Sequence, residues 1–120
     1  MIAVYIGAGL IGLLHVYILY LEMFQWTKPR GIRAFGLTQE TANASRSLAA
    51  NQGLYNGFLA AGMFWGMLYP DHTVSKHILT FFLLCVLTAG IYGSLTAKRS
   101  ILFVQAVPAV VALAVVWFVM

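Results

Sequence analysis

Charge is what this chain lacks. Only 8% of its residues are charged, and it holds just three acids. A soluble domain carries about 25% charge. With 62% hydrophobic residues, almost every stretch longer than a loop is apolar, which excludes a soluble globular domain and predicts an integral membrane protein. Cysteine is scarce too. The single Cys85 excludes an internal disulfide and reads as a small core hydrophobe. The start, Met1-Ile2-Ala3-Val4, lacks a basic n-region, and the apolar run to Trp26 is long for a signal peptide, so it reads as a retained span. There is no HxxxH, no cysteine pair and no Glu-x-x-His, so neither a metal nor another cofactor is expected. Sequence repeats, a heptad coiled coil, low-complexity segments and an extramembrane domain are also missing. The net charge of +4 comes from seven basic residues in short segments, too few for a nucleic-acid surface.

What remains is an expected all-α bundle of four transmembrane helices in a single domain. A span needs roughly 20 apolar residues. The expected spans are 2–26, 48–69, 77–97 and 101–120, with a basic loop and a polar helix start over 28–47. The Lys28–Leu37 segment is broken by Pro and Gly and reads as a loop. Thr38 is an expected N-cap, and the second helix is expected to run unbroken from there to Leu68. Tyr69-Pro70-Asp71-His72 reads as a turn. Pro108 should kink the last span by freeing the carbonyl of Val104.

Placing Lys28–Leu37 in the cytoplasm puts Lys28, Arg30, Arg33, Arg46, Lys98 and Arg99 inside and only Lys76 outside. Six of the seven basic residues then obey the positive-inside rule, and both termini face the non-cytoplasmic side. The expected location is the cell inner membrane, with lipids as the surrounding partner.

Within this apolar chain the stretch Asn51-Gln52-Gly53-Leu54-Tyr55-Asn56 stands out. An unpartnered amide in hydrocarbon costs several kcal/mol. These side chains must meet other helices, water or a ligand. In the first span, Ala8, Gly12, His15, Leu19, Glu22 and Trp26 follow a 4-3-4-3-4 spacing, one seam of a packed helix. His15 and Glu22 share that seam but lie roughly 10 Å apart along the axis at 1.5 Å per residue. Counted from the expected cytoplasmic helix ends, Glu22, Asn51, Tyr92 and Gln105 fall roughly 5–8 Å deep. Gln52, Tyr55 and Asn56 extend this polar layer inward.

An ionisable residue inside a span is a functional-site candidate by default. Glu22 is therefore the expected central group, either protonated or ionised and held by Asn51, Gln52 or Arg33. It and His15 form the candidate acid–base pair. Asn51, Gln52, Tyr55, Asn56, Tyr92, Gln105, Gln25 and Arg33 are candidate ligand-binding residues. Three functions compete. The first is binding, extending to acid–base conversion, of a small amphipathic or lipid-like ligand. The second is a structural role in which the polar layer fixes helix packing. The third is a proton-coupled small-molecule transporter acting as a homodimer. Whether the chain is an enzyme is left open by the sequence.

The segments His15-Val-Tyr-Ile, Leu21-Glu22-Met-Phe-Gln-Trp26, Phe35-Gly36-Leu37, Leu48 to Gly62, Tyr92-Gly93 and Gln105-Ala-Val-Pro108-Ala109 resemble a family of small bacterial membrane proteins catalogued as domain of unknown function 1304. The resemblance covers nearly the whole chain. It implies a four-helix inner-membrane protein and supplies no activity. The quoted motifs coincide with the polar layer.

Overall fold

A computed structural model describes all residues, 1–120. The chain is all-helical: α1 Ile2–Phe24, α2 Pro29–Phe35, α3 Gln39–Ala44, α4 Arg46–Leu68, α5 His72–Thr96, a π-helical turn at Leu102–Ala106, and α6 Val107–Val119. Three segments, Ile2–Phe24, His72–Thr96 and Leu102–Val119, are long and apolar enough to cross a membrane. Helix α4 has 23 residues and is long enough, but its first half carries Arg46, Ser47, Asn51, Gln52 and Asn56, which lower its apolarity.

The segment expected as a basic loop is a helix, α2. Lys28 takes the extended conformation that a following proline favours, and Pro29 opens the helix. Gly36 ends it at φ 63°, a left-handed cap that glycine adopts without penalty. Thr38 caps α3 as expected, accepting from the Thr41 N–H at 3.1 Å. The expected unbroken helix from Thr38 to Leu68 is interrupted at Ser45. There the side chain donates to the Thr41 carbonyl at 2.7 Å, the kind of local bond that competes with helix continuation. Asp71 caps α5 by accepting from the Val74 N–H at 3.0 Å. The expected disturbance ahead of Pro108 takes the form of the π-helical turn, with the Val107 N–H reaching back to the Leu102 carbonyl.

The chain forms two compact units. One comprises Met1–Gly12 with Ala61–Met120. Its core contains Val4 and Ala8, Met63, Leu79, Leu83 and Val86, and Ala109 and Val116. Gly90 lets α5 approach the backbone of Ala106. Ala89 and Ala97 are exposed, while the half-buried Gly93 lies close to Ile101. At one end of this unit the Lys76 Nζ lies 3.9 Å above the Trp117 ring, whose Nε1 donates to Thr80 Oγ1 at 3.0 Å.

A polar bond that the sequence did not announce holds α4 to α5 in this unit. The Gly66 carbonyl stands four residues before Pro70, which has no N–H to offer it. The buried Ser75 hydroxyl donates to that carbonyl instead, at 2.6 Å. Ser75→Ala should leave the carbonyl unsatisfied at a cost of about 1–3 kcal/mol. Thermal unfolding in detergent checks this; an unchanged midpoint would show that Gly66 finds another donor.

The second unit, Leu13–Ala60, carries the end of α1, α2, α3 and the start of α4. Its segments are tied together by polar and ring contacts. Trp26 Nε1 donates to Ser45 Oγ at 3.0 Å, the Trp26 ring packs on Phe35 with centroids 4.8 Å apart, and Gln39 donates to the Thr27 carbonyl at 3.0 Å.

Candidate functional site

The site is built where α1 and α4 meet in the second unit. Gly53 and Gly57, four residues apart on α4, form the small-xxx-small pattern that brings membrane helices close. A Cβ at Gly53 would lie 2.6 Å from Met23 Cγ, 3.1 Å from Glu22 Cβ and 3.2 Å from the Leu19 carbonyl oxygen. A Cβ at Gly57 would lie 2.7 Å from Leu19 Cδ1. This contact places the half-buried Glu22 beside α4, where the Asn56 amide donates to Glu22 Oε1. The same amide nitrogen donates to the Gln52 carbonyl one turn earlier, at 3.2 Å, which orients it.

The expected inward seam of α1 holds. Ala8, Gly12 and His15 are buried, and Leu19, Glu22 and Trp26 are half-buried. The expected partners of Glu22 need correction. Asn51, Gln52 and Arg33 were the candidates, and Asn56 is the residue that bonds it. Asn51 lies roughly 140° around the helix from Asn56 at 100° per residue and is exposed. Arg33 is exposed, and its Nε turns to the Pro29 carbonyl at 3.5 Å. Gln52 is exposed, and Tyr55 is 56% exposed and packs edge-on to Phe58. Gln25 is half-buried at the end of α1. Tyr92 (69% exposed) and the half-buried Gln105 belong to the other compact unit. The expected polar set is thus divided: Glu22 and Asn56 come together, Gln52 meets Asn56 only through its backbone carbonyl, and Asn51 and Tyr55 are exposed.

Sequence reasoning missed Gly53 and Gly57 as the residues that make this approach. Their four-residue spacing is readable in the chain, but which side of α4 faces α1 is not. It also missed the fixed position of α2, where Gly31 packs against the backbone of Gln25 and Trp26. That leaves Lys28, Arg30 and Arg33 exposed and Ile32 and Phe35 half-buried. Two cavities of about 390 and 450 Å³ lie in the other unit, the first lined by Tyr5 and Met67–Pro70 and the second by the starts of α1 and α6.

The molecule is therefore an all-helical protein in which three helices have the length and apolarity to cross a membrane, with a carboxylate–amide pair clamped by two glycines. It belongs to the family described as protein of unknown function (DUF1304), which matches residues 9–117. It is also 30% identical over 106 residues to the uncharacterised protein YpaA of Lactococcus lactis subsp. lactis (strain IL1403), covering 87% of each chain. No solved structure matches it.

Proposed function

We propose that this is a four-span protein of the cell inner membrane whose α1–α4 site binds a small amphipathic or lipid-like ligand close to the cytoplasmic leaflet. Helix α4 serves as the fourth span, its polar first half covered by protein or ligand. The basic residues of α2 and of the Lys98–Arg99 turn face the cytoplasm, and both termini face the other side. Large apolar side chains such as Ile2, Leu10, Phe81, Phe103 and Phe118 stand exposed, a surface that a bilayer would cover.

One observation carries the ligand reading. Glu22, inside an apolar helix, is held by a neutral amide on one oxygen rather than by Arg33. A structural ion pair would have recruited the guanidinium. An amide-bound carboxylate instead keeps hydrogen-bonding capacity for a ligand's hydroxyl or ammonium group. Asn56 orients Glu22, and Gln52 lies one turn away for further polar contact. His15, buried on the same seam, is the second acid–base candidate for any conversion of the ligand. The closeness of α1 and α4 at Gly53 and Gly57 favours a second reading, in which the pair serves only to hold the helices.

Native mass spectrometry and lipid extraction of the purified protein, wild type beside Glu22→Gln, separate these readings. The ligand reading expects a co-purified small molecule that disappears in the variant while the melting temperature stays near wild type. An empty wild type, together with a variant that melts well below it, would assign the pair to packing.

A further inference from the structure

Helix α2 has two faces of opposite character. At about 100° per residue, Gly31, Ile32 and Phe35 share one side, and Arg30 and Arg33 lie across the helix from it. The first side is docked: Gly31 is buried against the backbone of Gln25 and Trp26, and Ile32 and Phe35 are half-buried. Arg30 and Arg33 are exposed, as are Lys28 just before the helix and Arg46 at the start of α4. All of these residues belong to the unit Leu13–Ala60. Glu40 is the one acid between Lys28 and Arg46, and no ion pair engages any of the four cations. Arg33 makes only the long 3.5 Å bond from Nε to the Pro29 carbonyl. Like charges three residues apart on a helix repel, so an anion from outside the chain would stabilise this face. The positive-inside rule asks for basic residues in this segment; it does not ask for a folded helix that turns its arginines to one side.

We propose that the Arg30–Arg33 face of α2 binds the phosphodiester headgroup of an anionic phospholipid, with Lys28 and Arg46 beside it. Charge and level select this occupant. A guanidinium fork matches phosphate oxygens, two donors to two acceptors. Side chains three residues apart on a helix have Cβ atoms about 5–6 Å apart, close enough for both arginines to reach one phosphate. The level is set by the docked side. Helix α1 ends at Phe24, and Gly31 packs on the backbone of Gln25 and Trp26 immediately beyond it. Where α1 crosses a bilayer, α2 therefore lies in the headgroup layer, which is roughly 5–8 Å thick on each side of the hydrocarbon. The Trp26–Ser45 bond holds the start of α4, and with it Arg46, at the same level. Trp26, packed on Phe35 at 4.8 Å, is the residue type that settles at this boundary. Lipid phosphates are the anions concentrated at that depth. The proposal rests on α1 being a span, and it is independent of the ligand proposed for Glu22.

The test is lipid titration of the purified protein in detergent, read by native mass spectrometry, with phosphatidylglycerol and phosphatidylcholine as probes. Wild type should bind phosphatidylglycerol more tightly than phosphatidylcholine. Arg30→Gln and Arg33→Gln should each raise the phosphatidylglycerol dissociation constant about 5-fold, and the double variant about 30-fold. Lys98→Gln with Arg99→Gln removes the same charge from the other unit and should change it less than about 3-fold, because separated surface charges are screened. All four side chains are exposed, so these variants keep the fold, and their melting temperatures check it. If the α2 double variant melts early, the two single variants carry the test. Equal loss in the two double variants would overturn the proposal, since net charge alone would then govern binding. Unchanged affinity in the arginine variants would overturn it as well, and so would equal affinity of wild type for the two lipids. Displacement of phosphatidylglycerol by equimolar inorganic phosphate would also overturn it, by making the partner a soluble anion.

Discussion

Gly31→Ala should release α2 from the end of α1 and expose the basic segment to protease. An alanine Cβ at this position would sit 2.0 Å from the Gln25 carbonyl oxygen, 2.6 Å from its carbonyl carbon and 2.9 Å from Trp26 Cα. All three are backbone atoms. No side-chain rotation relieves the overlap, so the two backbones must part. The other contacts of the segment then go with it: the Trp26–Phe35 ring pair, the Trp26–Ser45 bond and the Gln39–Thr27 bond. Overpacking of a fixed contact costs about 2–3 kcal/mol, which raises the open population about 30- to 150-fold. Trypsin reads this directly. Cleavage after Arg30 and Arg33 should accelerate by that factor, while the Lys28–Pro29 bond resists in both proteins. If wild type is already cut as fast as the variant, α2 is not docked as described. Gly36→Ala makes a useful comparison. Its strain is limited to one left-handed residue, about 1–2 kcal/mol, and its effect should be smaller.

Gly53→Val should separate α1 from α4 at the level of Glu22 and remove the proposed ligand along with the packing. The first added carbon meets Met23 Cγ at 2.6 Å, Glu22 Cβ at 3.1 Å and the Leu19 carbonyl at 3.2 Å. Met23 is flexible and gives way; the Leu19 carbonyl and Glu22 Cβ, tied to the helix backbone, do not. Valine adds two more carbons with a stiff χ1. The expected destabilisation is about 3 kcal/mol, and the Asn56–Glu22 bond breaks as the helices part. Unfolding in detergent should show the loss, and the co-purified small molecule should be gone. Gly53→Ala is milder, because its main clash is with Met23. Pairing it with Met23→Ala should restore part of the lost stability, a coupling expected only of residues in contact. Additive effects of the two substitutions would argue that Gly53 does not face Met23.

Much of this arrangement could be read from the chain. Ala8, Gly12, His15, Leu19, Glu22 and Trp26 lie on the inner side of α1 because their spacing selects one face, and a helix that long has few ways to bury it. The Thr38 cap was legible because a hydroxyl in that position satisfies a helix N–H wherever the helix goes. Other features escaped. At Ser45 the hydroxyl that donates to the Thr41 carbonyl also accepts the Trp26 indole N–H, from a residue 19 positions away. The bond from Ser75 to the Gly66 carbonyl depends on Pro70 withholding a donor and on α5 returning alongside α4.

Composition and the length of its apolar runs therefore determined that this chain is suited to cross a membrane as helices, since so few charges leave water little to solvate. The distribution of its basic residues determined the expected orientation, and its motifs determined its family. Which amide meets Glu22 was a matter for the tertiary structure. Asn51, Gln52 and Asn56 are equivalent by type and close in sequence, and a choice among them requires the rotation of α4 about its own axis. That rotation is set by Gly53 and Gly57, the two places where the missing side chains let α1 come within contact of the α4 backbone. Once they face α1, Asn56 must reach Glu22 and Asn51 must turn away.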